Sequence, residues 1–194
     1  VIGVASSTLS RTPSGAVPMP GGCAVANLNK ARGTAWESDV RGYLNTSLGL
    51  VDDAGKFLDP FDAHNVRRPA QEGAADVGDV HAVPFVLECK DVKSPAVPTW
   101  LRQAEVEAVN AGFPYGVAVV KTRRQNVRRG RVHFGFATWT RVRRALGLRA
   151  PEFASRYAFT PTLRGWDTRR WYMSTDLEAF GVLLGDVRAE RHRV

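Results

Sequence analysis

Cysteine is scarce: the 194 residues contain two, Cys23 and Cys89, one in a glycine-rich stretch and one inside an apolar run. That argues against a disulfide framework and fits a reducing compartment. The four histidines, His64, His81, His133 and His192, share no ligand spacing, and without a cysteine pair a zinc site is not expected. No apolar run approaches the roughly 18 residues that a membrane-spanning helix needs. The opening residues lack a basic start followed by an apolar block and a small-residue cleavage site, so no secretion signal is expected and the cytoplasm is the expected location. A phosphate-cradling GxxxxGK[ST] loop is missing too, which removes an ATP-driven motor from consideration. No internal repeat or heptad run is visible.

What is present suits one ordinary globular domain, with 44% hydrophobic and 24% charged residues. Lysine and arginine number 27 against 19 acids, a net charge of +8. The excess is concentrated: residues 121–150 contain ten basic residues (Lys121, Arg123, Arg124, Arg128, Arg129, Arg131, Arg141, Arg143, Arg144 and Arg149) and no acid. Clustered arginine is the electrostatic footprint of a polyanionic partner, because each neutralised phosphate releases counterions. A solvated basic face is the plainer alternative.

Residues 1–30, rich in Gly, Pro, Ser and Ala, read as a flexible arm before a single domain over 31–194. From Thr34 the spacing of Trp36, Val40, Tyr43, Leu44 and Leu48 predicts an amphipathic helix, with Thr34 and Glu37 matching a Thr-x-x-Glu capping box. An irregular stretch follows, with a short strand expected near Asn65 to Arg68. Residues 79–90 read as a hairpin turning at Pro84, with Phe85, Leu87 and Cys89 on one face of its second strand and Val86, Glu88 and Lys90 on the other. PTWLRQAEVEAVNAG predicts a second helix with Leu101, Ala104, Ala108 and Val109 on its apolar stripe and a glycine stop. YGVAVVK reads as a strand buried on both sides. A basic elaboration at about 122–168 follows. WYMSTDLEAF then predicts a strand and a helix that Thr175 and Glu178 would cap. The order suits an α/β fold with a central mixed sheet flanked by helices.

Charge on the hairpin is the unusual feature, since burying it is costly unless it is paired or holds a metal. Asp79 opens one strand, and Glu88 and Lys90 project from one face of the other. Carboxylates from separate strands beside a cation are groups that hold a hard divalent ion and stabilise charge on a phosphoryl group. Cys89, between them, can turn its side chain inward and its backbone carbonyl toward the same place. Each residue also has a plainer reading. Glu37 could complete a helix cap, Asp76 competes with Asp79, and Glu88 with Lys90 could be a surface ion pair.

On these residues the chain resembles the PD-(D/E)XK nuclease superfamily, in particular small Holliday-junction resolvase-like and RecB-like enzymes of phage and bacterial genomes. The likeness runs from KARGTAWESDV through VRRPAQEGAADVGDV and FVLECKD to WLRQAEVEAVNAGFPYGVAVVK, about residues 30 to 121, and extends to YMSTDLEAF. It implies a restriction-endonuclease-like core in α-β-β-α-β order. It also implies magnesium, with manganese as a substitute, held by Asp79, Glu88 and the Cys89 carbonyl with help from Glu37. Lys90 would orient water or stabilise developing charge, and Gln103 would be the polar residue of the following helix. Arg67, Arg68, Arg123, Arg124, Arg128, Arg129 and Arg131 are the candidate DNA contacts. Branched DNA as substrate and a homodimer with two active sites follow from the resemblance. Cleavage of linear ends or flaps, and a basic protein that binds nucleic acid without cutting it, are the rival expectations. The segment from about 122 to 168 has no counterpart in the superfamily pattern.

Overall fold

The first helix, α1 (Gly22–Ser47), is longer than its sequence signals suggest. The structure, a computed structural model, describes residues 22–70 and 76–191, so most of the expected N-terminal arm lies outside the described residues. Thr34 and Glu37 fall inside α1, and the capping box expected there does not form. Between Gly22 and Thr34 lie Ala, Leu, Lys and Arg, good helix formers, with no proline to stop the helix. Trp36, Val40 and Leu44 are fully buried on one stripe, as their spacing predicts. Such side chains contribute about 1.5–3 kcal/mol each on burial.

After α1 the chain makes turns without long strands. The strand expected near Asn65 to Arg68 is reduced to a single antiparallel bridge, Arg67 to His81. The hairpin forms as read, with β1 (Val80–Ala82) antiparallel to β2 (Phe85–Lys90) and Val80 opposite Leu87. Helix α2 (Val97–Asn110) then crosses over, and β3 (Tyr115–Val120) lies parallel to β2, with Glu88 beside Ala118 and Lys90 beside Val120. This is the helix, strand, strand, helix, strand order of the sequence reading.

The basic stretch from 122 is not an addition outside the sheet. It supplies β4 (Arg131–Gly135), α3 (Phe136–Ala145), α4 (Ala150–Arg156) and β5 (Thr160–Thr162). With β6 (Tyr172–Asp176) they complete a six-stranded mixed sheet in the order β1-β2-β3-β4-β6-β5. Val132, Phe134, Trp139, Val142, Phe153 and Tyr157 from this stretch are buried in the main core, while most of its arginines are exposed and Arg131 and Arg143 are half-buried.

The last helix, α5 (Leu177–Arg191), begins one residue later than the Thr175–Glu178 pair suggests. The Ala179 N–H donates to Asp176 Oδ1 at 2.9 Å, and the Thr175 hydroxyl is used instead on the Tyr157 carbonyl at 2.6 Å. Thr175 is a strand residue turned into the core, which leaves Asp176 at the junction to cap the helix.

Two layers of helix enclose the sheet. Buried residues of α1, α3, α4 and α5 pack on the face formed by Phe85, Leu87, Cys89, Val117, Val119 and Phe134. On the other face, Val97 and Leu101 of α2 pack on Ala118. Two glycines permit close contacts. A Cβ at Gly116 would lie 2.1 Å from the Ala104 carbonyl oxygen, so glycine lets α2 lie directly on β3; one at Gly130 would lie 2.8 Å from the Trp36 ring. The Trp36 indole N–H donates to the Val119 carbonyl at 3.1 Å, which ties α1 to the centre of the sheet. No helix among the described residues is long and apolar enough to cross a membrane.

Candidate active site

Asp79 stands immediately before β1, where Gly78 takes a left-handed conformation, φ +85°. A Cβ at Gly78 would lie 2.3 Å from Val86 Cγ1, so only glycine lets the chain approach β2 here. Asp79 Oδ2 accepts the Cys89 N–H at 2.8 Å, extending the hairpin past its last strand pair. Asp76, the competing acid, uses Oδ1 on the Gly78 N–H at 3.1 Å and so shapes the turn that presents Asp79. In a strand the N–H and C=O of one residue project to the same side. The Cys89 carbonyl therefore faces the Asp79 edge, as expected, while its thiol lies in the core, where burial pushes its pKa well up.

Glu88 points to the opposite face, beneath α2, and is 2% exposed. Its Oε1 meets Lys90 Nζ as an ion pair and has no hydrogen-bond partner of regular geometry among the described residues. Burial raises its pKa to about 8, and the negative charge of Asp79 adds to the rise, with the Lys90 contact opposing it. Burial works against the charge of Lys90, but the contact with Glu88 together with the negative charges of Asp79 and Glu107 outweighs it and raises the pKa. Glu88 and Lys90 are thus an enclosed pair rather than the surface pair of the plainer reading.

Glu37 projects from the middle of α1. Its Oε2 pairs with Arg68 Nη2 at 2.5 Å, and its pKa is raised by burial and by Asp79 while Arg68 and Lys90 hold it back. Mutual electrostatic influence therefore links Glu37, Asp79, Glu88 and Lys90 across α1, the entry to β1 and β2.

Gln103 is exposed on α2, and its side chain reaches Glu107. One turn further on lies an acid that the sequence reading did not single out, Glu107, 1% exposed. Neither of its oxygens has a hydrogen-bond partner of regular geometry among the described residues. Burial raises its pKa, the neighbouring Gln103 amide opposes the rise, and Asp76 and Asp79 add to it. Val109, expected on the apolar stripe, is instead 76% exposed. The stripe Val97, Leu101, Ala104, Ala108 follows a strict i, i+3, i+4 path, and Glu107 rather than Val109 lies next to it. An acid three residues after Ala104 on this path was the available signal.

A groove of about 660 Å³ opens at this end of the sheet. Glu37, Asp79, Cys89 and Lys90 line it, and Glu88 lies behind Lys90 rather than on its wall. Lys30, Arg32, Arg68, Lys93 and Arg123 also line the groove. Of the expected DNA-contacting arginines, Arg68 and Arg123 are among them. Arg67 turns away, with its guanidinium on the Pro60 carbonyl and 5.1 Å from the Phe57 ring centre. Arg129 pairs with Asp176 at 3.0 Å, Arg128 approaches Glu178 at 4.0 Å, and Arg131 donates to Thr160 Oγ1 at 3.3 Å, all toward β5, β6 and α5. Arg124 is exposed in the loop after β3 with φ +60° and does not line the groove. Lys30 and Arg32 were missed because nothing local marks them; the packing of α1 on β2 brings them to the rim.

The residues fit a hard divalent cation in donor type: two carboxylates and a carbonyl, all oxygen, with an under-satisfied buried oxygen on Glu88. Among the described residues, no three His, Cys, Asp or Glu side chains are gathered into a ready metal cage. Glu37 is drawn to Arg68, and Lys90 serves as the counter-ion of Glu88. No family model, curated protein or solved structure matches the chain.

Proposed function

We propose that the chain is a divalent-metal-dependent DNA endonuclease of the PD-(D/E)XK type, with a restriction-endonuclease-like core, acting on branched DNA as a homodimer. The observation that carries this reading is the buried Glu88 carboxylate, raised in pKa and met by Lys90, beside Asp79 and a groove rimmed with basic side chains. Asp79, Glu88 and the Cys89 carbonyl would hold magnesium or manganese, with Glu37 in support. When bound, the ion would supply charge neutralisation at the phosphate and a more acidic water. Lys90, released from Glu88, would face the phosphate with a full positive charge. The basic rim would hold the backbone without reading bases, so no sequence preference is assigned.

A second reading, a nucleic-acid-binding protein without cleavage, draws on the closure of Glu88 by Lys90. The test is incubation with magnesium and a mobile-core four-way junction, a flap and a linear duplex, each labelled on separate strands. Paired symmetric nicks in the junction alone support resolution of branched DNA. Cleavage of flaps or ends instead would keep the nuclease chemistry and overturn the substrate, and binding without cleavage of any of the three would favour the second reading.

A further inference from the structure

We infer that Asp91 is a positioning residue that holds Arg32, Lys121 and Arg123 as a clamp for the DNA backbone at the mouth of the groove, an inference that rests on the nuclease reading above. Asp91 directly follows Lys90 at the end of β2. Its Oδ1 faces Arg123 Nη2 at 3.3 Å and Arg32 Nη2 at 3.8 Å, and its Oδ2 faces Lys121 Nζ at 3.8 Å. The three cations come from separate parts of the chain: α1, the end of β3 and the loop after it.

Exposure divides the cluster in a particular way. The Asp91 side chain is 6% exposed, while those of Arg32, Lys121 and Arg123 are 49%, 30% and 41% exposed. The acid is therefore withdrawn and its partners keep free donors outward. Arg32 and Arg123 line the groove that also contains Lys90. One carboxylate offsets the mutual repulsion of three cations, and with the exposed Asp39, 3.9 Å from Lys121, counted as well the group is still net positive. Lys121 is further fixed over the Trp36 ring at 5.3 Å, and its backbone N–H donates to the Lys90 carbonyl at 2.9 Å. The clamp is thus built on the same strand end as Lys90, and a phosphate gripped by it has a defined place relative to that lysine.

The charge of Asp91 makes the test discriminating. Removing an acid from a surface that binds a polyanion should by itself strengthen binding, whereas losing the hub of a clamp should weaken it. Affinity for a fluorescein-labelled four-way junction is read by anisotropy in EDTA, over a salt series, for wild type, Asp91→Asn, Asp91→Glu and the Arg32→Gln/Arg123→Gln double variant, with each thermal melt recorded. The expected result is about tenfold weaker binding by Asp91→Asn, a salt slope shallower by about one to two phosphate contacts at about 0.9 per contact, partial rescue by Asp91→Glu, and little further loss when Asp91→Asn is added to the double arginine variant. Equal or tighter binding by folded Asp91→Asn would overturn the clamp alone. Absence of salt-dependent binding by wild type would overturn the underlying nuclease reading as well. If Asp91→Asn fails to fold, the two exposed arginines carry the test: a loss in the double variant different from the sum of the single losses supports the clamp, and strictly additive or absent losses overturn it.

Discussion

Lys90 Nζ rests against Glu88 Oε1, so a lysine of the strand itself closes a carboxylate that the fold has buried. Both side chains leave β2 on the same face, two residues apart, with α2 above them. Below about pH 8 the buried Glu88 holds its proton, and above it Lys90 is the positive charge beside the carboxylate. The arrangement sets how the protein should respond to pH, to metal and to substitution.

Stability should fall as pH rises. Glu88 has an ordinary carboxylate pKa when unfolded, 4.5, and about 8 when folded. Between these values the unfolded chain has lost the proton that the folded chain keeps, so stability declines through that window and levels off above it. Glu37 and Glu107, also raised, act in the same direction, while Lys90 titrates above the window. Glu88→Gln should flatten most of the decline and melt higher than wild type at pH 8 to 9. Each kcal/mol corresponds to about 2–4 °C for a chain of this length. A parallel pH dependence in the two proteins would show that Glu88 is not the group responsible.

Metal binding should compete with the same proton. Magnesium affinity, measured by calorimetry, is expected to weaken by up to about tenfold per pH unit below 8, with proton release detectable as a dependence of the heat on the ionisation enthalpy of the buffer. A pH-independent affinity between pH 6 and 8 would mean that the ion does not engage Glu88.

Glu107→Gln is expected to raise the melting temperature, because it removes a buried acid with no regular hydrogen-bond partner. Glu107 also raises the pKa of Glu88, so the variant should move the pH profile of magnesium binding toward acid. A lower melting temperature would indicate that the carboxylate is used structurally.

Two glycines should respond in opposite directions in denaturant unfolding. Gly116→Ala drives a methyl group into the Ala104 carbonyl, a backbone atom that cannot move aside cheaply, and should cost about 1–3 kcal/mol or more. Gly42→Ala, on the exposed side of α1 with nothing within 4 Å of the new Cβ, should stabilise by roughly 0.5–1 kcal/mol.

The parts of this fold that could be read in the sequence were those where one local pattern decided the outcome. Alternation in FVLECK and the turn at Pro84 fixed the hairpin, a continuous apolar run fixed β3, and a proline at one end and Gly112 at the other bounded α2. The register that followed brought Asp79 to Cys89. The start of α1 was hidden because its glycine- and alanine-rich composition resembles a linker, and residues 28–32, all exposed, carry no apolar stripe. In residues 122–168 frequent arginines interrupt the apolar pattern of Val132, Phe134, Trp139 and Val142, whose spacing matches a strand and a helix. Glu107 was hidden because a buried acid violates the apolar pattern used to orient a helix, and the rim of Lys30, Arg32 and Asp91 exists only once α1 lies against β2.

The central claim, that Asp79, Glu88 and Lys90 form one metal-dependent hydrolytic site, is tested most directly by single-turnover cleavage of a labelled four-way junction, comparing wild type with Lys90→Ala and Asp79→Asn, each with magnesium and with EDTA. Wild type should cut with magnesium and not in EDTA. Both variants, binding the junction with near-wild-type affinity and melting cooperatively, should lose at least about 100-fold in rate, the scale expected when a group stabilising transition-state charge is removed. Cleavage undiminished in either variant would contradict the assignment.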